Sequence, residues 1–227
     1  MNIEIRNIPE KKSDEVVDLR IKAIVEDRNR VIAKRFGVEP RDIVVNLFYS
    51  TIALVAKVGS VHEKLGIFSG YVDYEDAINI GHPIAISPIF GNNLYKQVGI
   101  MIDYTLIKLY MCKVFYPNRE GYKLFYKHFT DSLAKITSGN FQKTSVEFII
   151  KNYNADKSYK KDEEAMMVLY VMLEKSGLDF VYENLKVFVE DCNIRKSVMT
   201  IFRKDISELI KLYQREMLET EKKLKKV

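Results

Sequence analysis

Histidine and cysteine, the residues that most often build metal sites and disulfides, are scarce in this chain of 227 residues. The three histidines, His62, His82 and His128, are far apart in the sequence, which argues against a histidine-based metal site. The two cysteines, Cys112 and Cys192, are too few for a disulfide framework. Tryptophan is absent, but 14 tyrosines and 12 phenylalanines provide ample material for a core.

The sequence also lacks the signals of export and of membrane insertion. Its first residues, Met1–Arg6, contain no cationic stretch followed by an apolar one. The longest apolar run is interrupted by Asp103, Lys108 and Lys113, so it is a poor membrane span. We therefore expect a cytoplasmic protein that has no membrane partner.

Positive charge collects at the end of the chain. The formal net charge is +5, and the last residues include Lys222, Lys223, Lys225 and Lys226. A solvated helix end explains these lysines simply, because cations complement the dipole of a helix C-terminus. The functional alternative is a patch for an anionic partner such as a nucleic acid. No interleaving of aromatic and basic residues supports that alternative.

The character of the chain changes near residue 90. Before it come short β-branched and aromatic runs, and after it come long segments with helical periodicity. We expect an α+β fold, with a small mixed or antiparallel sheet in residues 1–90 and a mostly helical part in residues 91–227, packed as one compact unit. The predicted strands are residues 1–10, 43–49, 67–72, 77–80 and Ile84–Ile86.

Two helix starts can be predicted from capping residues. Ser13 or Asp14 can cap a helix that runs to about Phe36. Thr144 and Glu147 have the spacing of a capping box, which predicts a second helix start at Thr144.

The segment Val98–Phe115 is apolar at nearly every position, which predicts a helix buried on most sides. Asp103 and Thr105 lie inside it. A buried carboxylate is costly unless it is paired or protonated. Asp103 must therefore either face a polar cleft or have a basic or hydroxyl partner.

An ordered series of segments precedes and follows this helix. An N-terminal helix leads to PRDIVVNLFYS, then to GIFSGYVDYEDAINI and HPIAISP, then to the buried helix and a helical tail. This layout, over residues 14–217, resembles that of gluzincin (peptidase-MA-like) zinc metallopeptidases. In that family a twisted sheet with one antiparallel edge strand precedes a central helix that carries His-Glu-x-x-His. The resemblance implies a zincin-like fold.

A second segment carries the resemblance to the family's third zinc ligand. That ligand is a Glu on the helix after the zinc helix, in a pattern that contains Leu-Ala two residues further on. The segment from His128 to Gly139 is similar, with Leu133 and Ala134 in place. The resemblance implies that Asp131 stands at the position of the ligand Glu.

The same resemblance implies that the zinc site is degenerate. It puts Asp103 at the first His position, Tyr104 at the Glu position and Ile107 at the second His position. Ile107 cannot bind a metal, and Tyr104, with an ordinary pKa of about 10, is a poor base at neutral pH. Asp103 and Asp131 leave two oxygen ligands where a catalytic zinc takes three protein ligands. We expect no zinc, no other cofactor and no catalytic residue at these positions.

Two further patterns are weak. The run from His62 to Gly66 begins like the zinc motif, but Gly66 stands where the second His would be. Cys112 and His128 would have the chemistry of a nucleophile and its base, yet a cysteine inside an apolar helix is usually an inert core residue.

These observations lead to one hypothesis and two alternatives. We expect a non-catalytic metallopeptidase-like protein that binds a peptide or protein partner, by strand addition in a groove beside Ile84–Ile86. The first alternative is an enzyme with a remodelled site built on Asp103, Tyr104 and Asp131, with Mg²⁺ or Ca²⁺, which requires carboxylates free of salt bridges. The second is a basic protein that binds nucleic acid through the lysines of its tail.

A quadruple variant tests the degenerate zinc site. Asp103→His, Tyr104→Glu, Ile107→His and Asp131→Glu together should create zinc binding that the parent lacks, because they restore three ligands. The measurement is the zinc stoichiometry of the two purified proteins. Negligible zinc in both would show that these positions do not converge, and stoichiometric zinc in the parent would exclude the degenerate site.

Overall fold

The computed structural model describes residues 1–9, 14–58, 69–71, 76–116, 124–139 and 141–224. The chain forms two compact units. The first unit contains residues 1–121 and 137–140, and the second contains residues 122–136 and 141–227. The change of character near residue 90 falls inside the first unit.

Among its described residues, the first unit combines a sheet with the helices α1 (Glu15–Arg35), α2 (Thr51–Val58), α3 (Pro83–Phe90) and α4 (Leu94–Tyr110). Its strands are β1 (Ile3–Ile8), β2 (Ile43–Phe48), β3 (Ser69–Tyr71) and β4 (Ala77–Gly81). A 3₁₀ turn, Gly91–Asn93, precedes α4, and a π-helical turn, Met111–Phe115, follows it. The remaining helices are α5 (Leu124–Ser138), α6 (Lys143–Lys151), α7 (Lys161–Glu183), α8 (Leu185–Asp191), α9 (Ile194–Phe202) and α10 (Ile206–Leu224).

The strands lie in the order β1-β2-β4-β3. The pairs β1–β2 and β2–β4 are parallel, and only the short β3 runs antiparallel, beside β4. The prediction of an antiparallel sheet is therefore wrong, although the class is α+β. The physical reason is the long connection: α1 has 21 residues, enough to carry the chain back so that β2 starts at the same end as β1.

Ile84–Ile86, predicted as a strand, lies in α3, so that prediction is wrong as well. Pro83 occupies the first helical turn, where its missing N–H costs nothing. The Nδ1 atom of His82 accepts a hydrogen bond from the backbone N–H of Ile84 at 3.2 Å and caps the helix. The cap at His82 and the proline at Pro83 together favour a helix more strongly than the isoleucines favour a strand.

The core of the first unit is built around α4. This helix packs against α1, α3 and the strands β3 and β4, and it is buried along most of its length, as predicted for this segment. The hydroxyl of Tyr110 donates to Oδ1 of Asn29 at 2.5 Å and accepts from the backbone N–H of Arg41 at 3.1 Å. Asn29 Nδ2 donates in turn to the carbonyl of Arg41 at 2.8 Å. These bonds join α4, α1 and the segment before β2.

The second unit has an aromatic core. Phe129, Tyr170 and Phe188 are fully buried, and the rings of Phe129 and Phe188 stack 4.9 Å apart. The capping box predicted at Thr144 is absent, because the N-cap of α6 is Gln142, two residues earlier, and no side chain caps the helix. Glu147, its expected second member, instead accepts a hydrogen bond from the Tyr170 hydroxyl at 2.9 Å.

Removing one buried hydroxyl tests the core of the first unit. Tyr110→Phe should lower the free energy of unfolding by about 2–4 kcal/mol, because it leaves Asn29 Oδ1 and the Arg41 N–H without a partner. Tyr95→Phe on the same helix is the matched control and should change it by less than about 0.5 kcal/mol, because Tyr95 is partly exposed and its ring keeps the contact with Arg20. Urea unfolding measures both. Equal effects would mean that the buried bonds contribute nothing specific.

Candidate functional site

Asp103 lies on α4 with 18% of its side chain exposed. Its Oδ2 atom accepts a hydrogen bond from Arg28 Nη1 at 3.1 Å, so it has a basic partner, one of the arrangements that the sequence predicted. It also borders a cavity of about 530 Å³ between α1 and α4. The other charged or aromatic residues of that cavity are Asp27, Arg28, Tyr95 and Lys96.

The environment of Asp103 changes its acidity. Burial raises the pKa of its carboxyl to about 6, while the guanidinium groups of Arg28 and Arg35 act in the opposite direction. Desolvation therefore outweighs the ion pair. The pKa of this carboxyl therefore lies above that of an ordinary aspartate.

The two other positions on α4 that the resemblance aligns with the zinc motif are buried. Tyr104 is 4% exposed and Ile107 is 1% exposed. The ammonium of Lys108 lies 3.4 Å from the Tyr104 hydroxyl and 5.2 Å from the centre of its ring. Neither residue offers a ligand or a base to a dissolved substrate.

Asp131 lies on α5 in the second unit, and its Oδ2 atom is 2.6 Å from Lys135 Nζ, one helical turn away. Asp103 belongs to the first unit, and its convergence with Asp131 stays a prediction. Each carboxylate has a cation of its own unit beside it. These ion pairs argue against a shared site for Mg²⁺ or Ca²⁺, which requires free carboxylate oxygens.

The other predicted residues form no metal or nucleophile site in the described part of the chain. No group of three His, Cys, Asp or Glu residues among the described ranges could hold a metal ion. Cys112 is buried and is not part of a disulfide, and it belongs to a different unit from His128. The run from His62 to Gly66 lies outside the described residues, as do Lys225 and Lys226. Lys222 and Lys223 are exposed in the last turn of α10.

A polar cluster that the sequence analysis missed lies where the parallel strands end. Tyr49 follows β2, and its ring stacks on His82, which follows β4, with 3.9 Å between the ring centres. Near the end of β1, Asn7 Nδ2 donates to Asp18 Oδ2 at 3.0 Å. Parallel strands bring their carboxyl ends to one edge of a sheet, so recognition of the parallel order would have revealed this cluster.

Three buried atoms of this cluster have no hydrogen-bond partner among the described residues: Asn7 Oδ1, Asp18 Oδ1 and His82 Nε2. Because Nδ1 of His82 accepts a bond, a neutral ring carries its proton on Nε2. Burial lowers the pKa of His82, and the charges of Asp18 and Asp14 oppose that effect.

Comparisons with known proteins assign no family to the chain. No protein-family model, no curated protein and no solved structure matches it. None of the helices in the described ranges has both the length and the apolar character needed to cross a membrane.

The raised pKa of Asp103 predicts a pH-dependent stability. The folded carboxyl binds its proton more tightly than the unfolded one. The stability that this tighter binding contributes is therefore fully present below pH 3.8 and is lost as the pH rises to about 6. This loss amounts to about 3 kcal/mol. The side chain introduced by Asp103→Asn cannot ionise, so this variant should not lose that stability. Relative to the parent, it should therefore become more stable between pH 4 and pH 7. Urea unfolding of both proteins across that range is the measurement, and parallel stability curves would contradict the prediction.

Proposed function

We propose that this protein is a non-catalytic metallopeptidase-like protein that binds a peptide or a segment of another protein. The idea comes from the resemblance to gluzincins. It is supported by the position of α4, which packs against the strands β3 and β4 in the way expected for the family's central helix. It is also supported by the antiparallel direction of β3, since the family's sheet carries one antiparallel edge strand.

The side chains of α4 support the absence of catalysis. Asp103 is engaged with Arg28, and Tyr104 and Ile107 are buried. A zinc peptidase needs two ligands one turn apart on this helix and a base beside them. None of the three residues offers a neutral nitrogen, and the one carboxylate among them is paired with Arg28.

One observation carries the binding proposal: β3 is the last strand of the described sheet and pairs with β4 alone among its strands. The groove first expected beside Ile84–Ile86 cannot accept a strand there, because those residues are helical. The edge of β3, unlike α3, has the extended backbone with which a second strand can pair. An extended peptide can add to such an edge through main-chain hydrogen bonds.

We also propose a cytoplasmic location. Neither Cys112 nor Cys192 is part of a disulfide in the structure, which is the usual state of cysteine in a reducing compartment.

Selected peptides test the binding mode. Peptides selected from a random library against the immobilised protein should slow amide exchange within Ser69–Tyr71, because strand addition protects outward N–H groups. The control is a pair of peptides that are N-methylated at alternate positions. Only one of the two series should lose binding, because successive amides of a strand point in opposite directions. Equal binding of both series, or protection confined to other segments, would contradict strand addition at β3.

A further inference from the structure

The other edge of the described sheet is β1, which pairs with β2 alone among the strands. The carbonyl of Asn2 accepts from the N–H of Ile43 at 3.0 Å, and the carbonyl of Ile8 accepts from the N–H of Tyr49 at 3.1 Å. Even-numbered residues of β1 therefore direct their backbone groups toward β2. Because these directions alternate along a strand, Ile3, Ile5 and Asn7 direct theirs toward the free edge.

The side chains beside this edge differ between the two faces. Ile3 and Ile5 face α1, where they line a groove of about 390 Å³ together with Glu15, Asp18, Leu19 and Lys22. Glu4 and Arg6 lie on the opposite face, with side chains 51% and 56% exposed and 2.7 Å between Glu4 Oε1 and Arg6 Nε. The edge thus carries one acid and one base two residues apart, on the same face.

We infer that a second copy of this chain docks on β1, with the two β1 strands antiparallel about a two-fold axis beside Ile5. In this register Ile5 pairs with Ile5 of the second copy, and Ile3 pairs with Asn7. Both are hydrogen-bonded pairs, so the outward N–H and C=O groups of all three residues find partners. The two sheets become one continuous sheet.

The charges select this register over its neighbours. Here Glu4 lies opposite Arg6 of the second copy, twice by symmetry, at the non-hydrogen-bonded positions where cross-strand side chains are closest. A shift by two residues in one direction places Glu4 opposite Glu4, and a shift in the other direction places Arg6 opposite Arg6. Like charges directly opposite each other destabilise a strand pair. Charges on an edge strand usually deter pairing, but this pair is complementary to its own two-fold image.

The face of α1 beside the edge supports the same partner. Val16 and Leu19 are 76% and 67% exposed, and Leu19 lies in the groove together with Ile5. A two-fold rotation reverses the order of the charges that flank Leu19. Glu15 on α1 of each copy therefore lies toward Lys22 on α1 of the other copy. The apolar residues Val16 and Leu19 of the two helices lie between these charges.

Charge reversal and its reciprocal exchange test the pairing. Sedimentation equilibrium should show a dimer for the parent, and either Arg6→Glu or Glu4→Arg should raise its dissociation constant about tenfold or more, because each change creates two repulsive pairs. The double variant, Glu4→Arg with Arg6→Glu, should recover the parent's constant to within about threefold. Glu4 and Arg6 are exposed, and thermal melts verify that each variant is folded.

A backbone variant provides an independent measurement. Ile5→Pro removes the central outward N–H without removing a bond to β2, and it should abolish the dimer. Ile5→Ala, the matched control, keeps that N–H and should dimerise more strongly than the proline variant. A parent that stays monomeric up to about 1 mM would overturn the inference. A dimer that is indifferent to these changes, or one that the reciprocal exchange fails to recover, would overturn it as well.

Discussion

One buried hydroxyl joins three parts of the first unit: α4, α1 and the segment that leads into β2. The hydroxyl of Tyr110 on α4 bonds both to Asn29 on α1 and to the backbone of Arg41 before β2. Asn29 is fully buried, and an unpaired polar group in such a medium is costly. The three groups therefore hold one another in a single arrangement. Arg28, the residue next to Asn29, is in the same way fixed toward Asp103 on α4.

The residue patterns predicted the four strands of the sheet, but the predicted direction of their pairing was wrong. Two signals for the parallel order were available: the 21-residue helix between β1 and β2, and the nearly continuous burial that the apolar run Ile43–Phe48 implies. The isoleucines of Ile84–Ile86 favour a strand, but the cap at His82 and the proline at Pro83 start a helix there.

The candidate site contains contacts that local sequence patterns do not predict. The sequence predicted either a polar cleft or a partner for Asp103. Its partner, Arg28, lies 75 residues away on another helix, and no periodicity identifies it. Tyr49 and His82 are likewise brought together by the pairing of β2 with β4. Residues that are far apart in the chain become neighbours only through topology. When the direction of a strand is predicted wrongly, the residues that meet at its end are therefore not recognised as neighbours.

The two edges of the described sheet suit different kinds of association. β3 has three residues, so it offers few outward backbone groups, and a ligand strand there must gain most of its affinity from side-chain contacts. β1 has six residues, with three outward-facing positions and a charge pair that fits only one register of its own image. Main-chain bonds alone are indifferent to sequence, and it is the placement of charge that makes an edge selective. A long edge with a self-complementary pair therefore favours a lasting symmetric contact, and a short edge without one favours an exchangeable ligand.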